Sequence, residues 1–301
     1  MTGLSVESPP RAVRHFGRRI RVRRIALYGF LTFMATVWLF PLVWAIYTAL
    51  RPYADTQLHG YLSVASSLSL DNFFDAFNQG NFPQFYWNSL VVAIPGVIVT
   101  LVSASFVAFA VSRFRWRFNL LILMLFTAGN LLPQQVIIVP LYRLYLALPV
   151  PHPLSDNGLL YDQFIGIILI HVVFQTGFCV FVLSNYMKTL PKELYESAQV
   201  DGASVLRQFF QLTLPLCRPP IAALATLEVT WIYNEFFWAT VLLQSGDKFP
   251  ITSSLNNLRG QFFTDNNLGA AGSVVVALPP LIIFFILQKQ FVSVTLGATK
   301  G

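Results

Sequence analysis

Residues 190–219 read LPKELYESAQVDGASVLRQFFQLTLPLCRP, a polar and charged island between two long apolar segments. Pro191 is typical of the first turn of a helix, where its missing N–H costs nothing. Gly202 is typical of a helix C-terminus, because only glycine takes a left-handed backbone without a steric penalty. Ser204 is typical of the N-cap of a second helix. The sequence therefore predicts two short helices joined at a glycine elbow.

This island carries more apolar side chains than an exposed loop needs: Leu194, Tyr195, Val200, Leu206, Phe209 and Phe210. A large apolar side chain left in water forgoes about 1.5–3 kcal/mol of burial. We therefore expect a protein partner to cover the loop. The alternative interpretation is an ordinary amphipathic loop.

The composition of the whole chain indicates a polytopic membrane protein. Of its 301 residues, 55% are hydrophobic and 11% are charged, whereas soluble domains average about 25% charged residues. The net charge of +7 does not indicate nucleic-acid binding, because of where the charges lie. Cys179 and Cys217 form neither a disulfide framework nor a metal-ligand spacing.

Hydropathy along the chain predicts an all-α membrane protein with a basic tail at 1–24 and a transmembrane domain at 25–301. The first apolar run is too long for the core of a signal peptide, and roughly 20 apolar residues span a bilayer. The six predicted transmembrane helices lie at about 25–49, 88–111, 119–138, 163–186, 220–243 and 269–291.

Positive charge predicts the orientation. All but four of the 20 Lys and Arg residues lie in the N-terminal tail or in segments on its side of the membrane; the exceptions are Arg51, Arg143, Lys248 and Arg259. The positive-inside rule then places both termini and the loop 190–219 in the cytoplasm.

The order of small and charged residues in the loop carries a family resemblance. Glu196, Ser197 and Ala198, followed by Gly202 and then by Leu212-Thr213-Leu214-Pro215, resemble the "EAA" loop of binding-protein-dependent ABC importer permeases. In that family the loop is a coupling helix that sits in a groove of the cytoplasmic ATPase subunit. The resemblance implies that role for Glu196, Ser197, Ala198, Asp201, Gly202, Leu206, Phe209 and Pro215. A local capping role is favoured for Asp201, and both roles stay open for Glu196.

The resemblance continues outside the loop. Asp71-Asn72-Phe73, Asn88-Ser89-Leu90, Tyr233-Asn234-Glu235-Phe236 and the tail Gly297-Ala298-Thr299-Lys300-Gly301 are similar to segments of the maltose-type carbohydrate-uptake branch. The resemblance implies a permease subunit that carries a di- or oligosaccharide across the cytoplasmic membrane. It also implies that the tail, with Lys300, inserts between two ATPase subunits; a solvated tail is the alternative.

The chain has no G-x-x-x-x-G-K-[ST] loop for ATP phosphates, so we expect no ATP hydrolysis in it. We also expect no enzyme activity, no metal and no bound cofactor in this chain. The resemblance implies the partners: ATPase subunits that hold ATP with Mg, a second, related permease chain, and an extracytoplasmic sugar-binding protein that docks on loops 51–84 and 244–268. Membrane lipid is expected around the apolar spans. Nucleic acid is not expected.

Polar residues in two predicted spans are candidates for a substrate path. Glu228, Trp231, Glu235 and Trp238 recur at intervals of three, four and three, which predicts one helical face. A carboxylate inside a membrane is expected to face the bundle interior or a wet cavity. The alternative is that Trp231 and Trp238 pack between helices while Glu235 caps a bend or pairs with an arginine or with backbone groups. The remaining candidates are Asn234 and the pair His171 and Gln175, for which an interhelical hydrogen-bonding pair is the alternative.

Two other classes of protein remain as alternatives. A proton-coupled carrier would use buried acids as a proton relay. An intramembrane enzyme would need Glu228, Glu235 and His171 to converge on a reacting atom. Dependence on ATP separates the importer from the carrier, and recovery of unmodified substrate separates it from the enzyme.

Overall fold

The computed structural model describes residues 16–114, 117–131, 133–258 and 265–297. Within these ranges the chain is helical and contains no strand. In chain order, the first seven α-helices of the described residues are α1 (Phe16–Leu50), α2 (Tyr53–His59), α3 (Asp71–Gln79), α4 (Phe82–Arg113), α5 (Asn119–Leu131), α6 (Ile138–Ala147) and α7 (Phe164–Met187). They are followed by α8 (Glu193–Val200), α9 (Val205–Arg207), α10 (Leu214–Leu216), α11 (Arg218–Tyr233), α12 (Phe237–Leu242), α13 (Ile251–Ser254) and α14 (Asn266–Gly297).

Four of the described helices are long and apolar enough to cross a membrane: α1 from Arg23 onward, α4, α7, and α14 from Asn266 to Ile286. A fifth candidate is a broken pair, in which the chain turns by 90° between Asn119–Gly129 and Gln134–Ala147. Helix α1 also takes in residues 16–24 of the predicted basic tail, because arginine is a good helix former.

Two of the expected spans are interrupted. In the third, α5 ends at Leu131 and Pro133 has an extended backbone; a proline interrupts a helix because it has no N–H for the hydrogen-bond ladder. In the fifth, α11 ends at Tyr233 and α12 begins at Phe237. The sequence shows no proline or glycine at this second break.

Helices α4, α7 and α11 form the main core. Ala104 and Ala108 of α4 are buried, as are Val180 and Leu183 of α7. Small residues let helices approach closely inside a membrane, where dispersion contacts rather than water drive association. These helices are the frame that positions the loop at 190–219.

At one end of this frame, asparagines hold the C-terminus of α1. Asn72 donates to the carbonyls of Ala49 (2.8 Å) and Arg51 (2.7 Å). Asn267 donates to the carbonyls of Thr48 (3.1 Å) and Arg51 (2.9 Å). The last carbonyls of a helix lack their usual partners within it, so these amides supply donors at the end of α1; the Thr48 carbonyl also accepts from the Arg51 N–H (3.2 Å).

A buried ion pair orders the segment after α1. Arg51 donates to the Asp55 carboxylate at 2.6 Å, and Ser66 donates to the same carboxylate through Oγ. The Ser66 hydrogen bond and then Arg51 hold the pKa of Asp55 below its ordinary value. This network fixes the start of the loop 51–84.

The loop after α12 is tied to the same end. Asn88 donates to the carbonyls of Asp247 (2.7 Å) and Phe249 (3.0 Å). The Asp162 carboxylate accepts hydrogen bonds from the backbone N–H of Ser245 (2.9 Å) and from the hydroxyl of Ser245 (2.5 Å). Burial raises the pKa of Asp162, and the hydrogen bonds from Ser245 lower it. The net shift of this pKa is downward. The two loops expected to meet a binding protein therefore lie at one end of the bundle.

Candidate functional site

The loop at 190–219 begins with α8, which ends in a glycine elbow. Gly202 has a φ of 77°; its N–H donates to the Gln199 carbonyl (3.1 Å), and the Ala203 N–H donates to the Ala198 carbonyl (2.9 Å). This pair of bonds is the Schellman motif. A Cβ at Gly202 would meet no atom within 4 Å, so backbone conformation alone requires glycine.

After the elbow comes a helix that has an N-cap and contains a π-helical segment. The Ser204 hydroxyl accepts from the Arg207 N–H at 3.3 Å, as the sequence predicted. The segment Gln208–Thr213 is π-helical, and the Thr213 hydroxyl donates to the Gln208 carbonyl (3.2 Å). Single turns of π-helix occur frequently at functional sites. The sequence did not predict this widening.

Phe209 anchors the loop to α4. Its ring stacks on Phe106 at a centroid distance of 4.5 Å and lies 5.2 Å from Phe109. Only 2% of Phe209 is exposed, although the sequence analysis placed it among the residues that meet a partner. Its apolar area is satisfied within this chain. In the sequence, the aromatic pair Phe106 and Phe109, three residues apart on α4, was the feature that could have predicted this anchor.

Tyr195 is a second anchor. Its hydroxyl is hydrogen-bonded to that of Thr213 (3.1 Å), and the Arg113 guanidinium lies 4.7 Å from its ring centroid, a cation–π geometry. Burial raises the pKa of Tyr195, so the phenol keeps its proton at neutral pH. The two halves of the loop are thus joined to each other and to the end of α4. The sequence did not predict the part that Arg113 plays, and it gave Thr213 only as a member of the motif.

Six large apolar side chains of the loop are exposed, and we call the three most exposed of them the docking surface. Val200 is 88% exposed, Leu206 63% and Phe210 54%. The other predicted coupling residues lie around it: Glu196, Ser197, Asp201, Gly202 and Pro215 are exposed, and Ala198 is half-buried. Lys300 lies outside the described residues.

The predicted substrate-path face is divided by the break between α11 and α12. Glu235 lies in the break and accepts from the backbone N–H groups of Trp238 (2.5 Å) and Ala239 (3.1 Å). It therefore caps α12, which is the alternative that the sequence left open. Glu228 and Trp231 belong to α11 and Trp238 to α12, so the four residues do not share one helical face, contrary to the prediction.

Two of the path candidates are enclosed within this chain. Glu228 is fully buried, and Cys179 of α7 donates to its carboxyl group at 3.2 Å. Trp238 is buried with its ring centroid 5.9 Å from that of Phe174. His171 is also buried, and its Nε2 lies 3.9 Å from the Glu235 carboxylate. These contacts join α7 to α11 and α12.

A more open strip lies between α7 and α11. Trp231 is 42% exposed and meets Phe178 edge to face at a centroid distance of 5.3 Å. Gln175, three residues before Phe178, is half-buried, and Asn234, three residues after Trp231, is exposed and donates to the Thr230 carbonyl (2.8 Å). We call Gln175, Phe178, Trp231 and Asn234 the aromatic–amide strip. Among the described residues, no group of three or more His, Cys, Asp or Glu could hold a metal ion.

Known proteins are similar to the chain over most of its length. Residues 96–294 match the family of binding-protein-dependent transport system inner membrane components. A probable ABC transporter permease protein of Pyrococcus horikoshii is 31% identical over 281 residues, 92% of this chain and 98% of that protein. The arabinooligosaccharides transport system permease protein of Bacillus subtilis is 28% identical over 284 residues, 93% of this chain and 97% of that protein.

One solved structure shows the same fold. A chain in the crystal structure of a bacterial ABC transporter involved in the import of the acidic polysaccharide alginate matches with a TM-score of 0.76. The match covers 92% of this chain and 99% of that chain at 20% sequence identity.

Proposed function

The chain belongs to the family of binding-protein-dependent transport system inner membrane components, and from that premise we propose that it is the permease subunit of an ABC importer for an oligosaccharide. The observation that carries the proposal is the docking surface on a loop anchored to α4 by Phe209 and Tyr195. A loop held in this way transmits movement of a partner to the membrane helices. The oligosaccharide is proposed because the Bacillus subtilis relative transports arabinooligosaccharides by name.

We infer that the chain lies in the inner membrane, crosses it six times and has both termini in the cytoplasm. The spans are α1, α4, the bent pair of α5 and α6, α7, the pair of α11 and α12, and α14. The distribution of Lys and Arg supports this orientation. Loops 51–84 and 244–268 then lie outside, where a binding protein delivers the sugar.

The partners of the proposed complex divide the work. Two cytoplasmic ATPase subunits bind ATP and Mg, and one of them receives the docking surface. Because Val200, Leu206 and Phe210 are exposed while their loop is anchored, closure of the ATPase pair shifts the loop as a lever. A second permease chain completes the cavity. Insertion of the tail with Lys300 between the ATPase subunits stays a prediction.

Within the membrane we propose that the sugar passes along the aromatic–amide strip. Aromatic rings pack on the C–H faces of sugars, and amides exchange hydrogen bonds with hydroxyl groups. Trp231 and Gln175 provide such groups at an incompletely covered position. Glu228 and Trp238 are enclosed by α7 instead, and they have a packing role in this proposal.

Reconstituted transport tests the function. Proteoliposomes that hold this chain, its partner permease and the ATPase subunits would receive binding protein and radiolabelled oligosaccharide on one side and ATP on the other. We expect ATP-dependent accumulation of unmodified sugar that persists when a protonophore is added. Uptake that follows the proton gradient without ATP, or recovery of altered sugar, would overturn the proposal.

A pair of substitutions tests the path. We expect Trp231→Ala to reduce uptake more than tenfold at unchanged expression, since one large aromatic contact with the sugar is lost. We expect Glu228→Gln, which keeps the shape of a buried side chain, to leave uptake within about twofold. The opposite order of effects would remove the aromatic–amide strip from the path.

A further inference from the structure

A cleft of about 620 Å³ opens beside the docking loop. Its walls come from the end of α4, the start of α5, the end of α7 and the residues that lead into α8. It lies at the opposite end of the bundle from the Arg51 and Asp162 networks, and the steps proposed above use only the contact of Tyr195 with Arg113 in its wall.

Three basic side chains line this cleft: Arg113, Lys188 and Lys192. No acidic side chain is among the described residues that line it. Arg113 is oriented by its cation–π contact with Tyr195, and both lysines are exposed. Charges of one sign around a concave surface add their potentials and attract an anion.

The wall formed by α5 is apolar. Leu120 and Leu123 line the cleft on that side, and 67% of Leu120 is exposed. These leucines belong to a segment that we place in the membrane. The cleft therefore has basic residues at its opening and an apolar wall that faces the hydrocarbon of the membrane. A small inorganic anion bound at the basic residues would leave this wall uncovered.

An unsatisfied acceptor lies in the same wall. Asn119 donates from Nδ2 to the carbonyls of Val111 (3.1 Å) and Phe114 (2.5 Å). Its Oδ1 atom is buried and has no hydrogen-bond partner in the part of the chain that the structure describes. A buried polar atom without a partner is costly. The two Nδ2 bonds of Asn119 tie the start of α5 to the end of α4 and so hold two walls of the cleft together.

We propose that this cleft binds the headgroup of an anionic phospholipid, with its phosphate among Arg113, Lys188 and Lys192. An acyl chain lies along Leu120 and Leu123. Basic pockets between transmembrane helices at the cytoplasmic side are suited to such headgroups. The inference uses the proposed function only for the membrane orientation.

Native mass spectrometry of the full chain in detergent tests the proposal. The probes are phosphatidylglycerol and phosphatidylcholine with identical acyl chains, because only the first has a net negative charge and a glycerol hydroxyl. Wild-type chain should retain phosphatidylglycerol in preference to phosphatidylcholine. The double variant Lys188→Gln, Lys192→Gln should bind phosphatidylglycerol about 25-fold more weakly, at about fivefold per lysine.

A matched control removes the same charge elsewhere. Arg207→Gln, Arg218→Gln loses two exposed cations from the same side of the chain, outside the cleft, and should bind phosphatidylglycerol like the wild type. Equal loss in both double variants would overturn the proposal, as would equal retention of the two lipids by wild type. Displacement of the lipid by millimolar inorganic phosphate would show that the cleft is a site for free anions and would also overturn it.

The result is separable from the proposed transport function. Lipid retention is measured without ATPase, binding protein or sugar, so a failed transport assay leaves it unaffected. Both substituted lysines are exposed, and an unchanged melting temperature of the detergent-solubilised variants shows that their fold is intact.

Discussion

Replacing Leu206 by alanine tests whether the docking surface binds a partner. Complete burial of a leucine side chain contributes about 1.5–3 kcal/mol. Since Leu206 is 63% exposed in this chain, a partner that covers it can gain about 1–2 kcal/mol of that amount. Loss of this gain corresponds to an affinity about 5- to 30-fold weaker.

The assay is biolayer interferometry between the detergent-solubilised permease pair and the ATPase subunit of the same transporter. Leu58→Ala is the matched control, because Leu58 is 80% exposed but lies on α2 at the other end of the bundle. We expect Leu206→Ala to weaken binding by the stated factor and Leu58→Ala to leave it unchanged.

A third variant separates docking from anchoring. Phe209→Ala removes a buried ring that packs on Phe106 and Phe109, and such truncations cost about 3–5 kcal/mol in protein cores. It should lower the melting temperature of the chain, whereas Leu206→Ala should not. The reasoning is refuted if Leu206→Ala binds the ATPase like wild type, or if Leu58→Ala weakens binding equally.

Three further predictions concern backbone, capping and charge. Gly202→Ala should weaken ATPase binding, because the left-handed backbone costs alanine about 1–2 kcal/mol, and Gly202→Asn should weaken it less. Equal ATPase binding by the wild type and both variants would contradict this prediction. Asn72→Ala removes a donor from the carbonyls of Ala49 and Arg51, of which Arg51 keeps its bond from Asn267. Thermal melts should show a loss of about 1–3 kcal/mol, and an unchanged melting temperature would argue against the capping role. Ser66 and Arg51 lower the folded-state pKa of Asp55 from 3.8. The ionised Asp55 carboxylate therefore stabilises the folded state above that value, and this stabilisation is lost as the pH falls through the lower folded-state pKa. Asp55→Asn should therefore lose less thermal stability than wild type on acidification from about pH 4 to about pH 2, and parallel losses would contradict the assignment.

The elbow of the loop could be predicted because its causes are local. A left-handed backbone selects glycine at 202, and the hydroxyl of Ser204 reaches a backbone N–H three residues away. Neither feature depends on which helix lies next to the loop. The family resemblance was readable for the same reason, since it rests on a spacing within one short segment.

The anchoring and the helix break depend on tertiary structure. Phe209 and Phe210 are adjacent and chemically identical, but only Phe209 meets Phe106 in a stacked, buried arrangement. The break before α12 lacks a proline or glycine; it is stabilised by the Glu235 carboxylate, which accepts from N–H groups three and four residues later. Periodicity treated Glu235 as one member of a helical face and could not reveal that role.

Cross-linking from position 200 tests the central claim most directly. Val200 is 88% exposed on the docking surface, whereas the two native cysteines, Cys179 and Cys217, are buried, so a Val200→Cys variant offers a single accessible thiol among the described residues. In native membranes treated with a bifunctional thiol-reactive reagent, we predict one adduct whose added mass is that of the ATPase subunit. Absence of that adduct, together with labelling of the new thiol by an impermeant reagent in intact cells, would contradict the account.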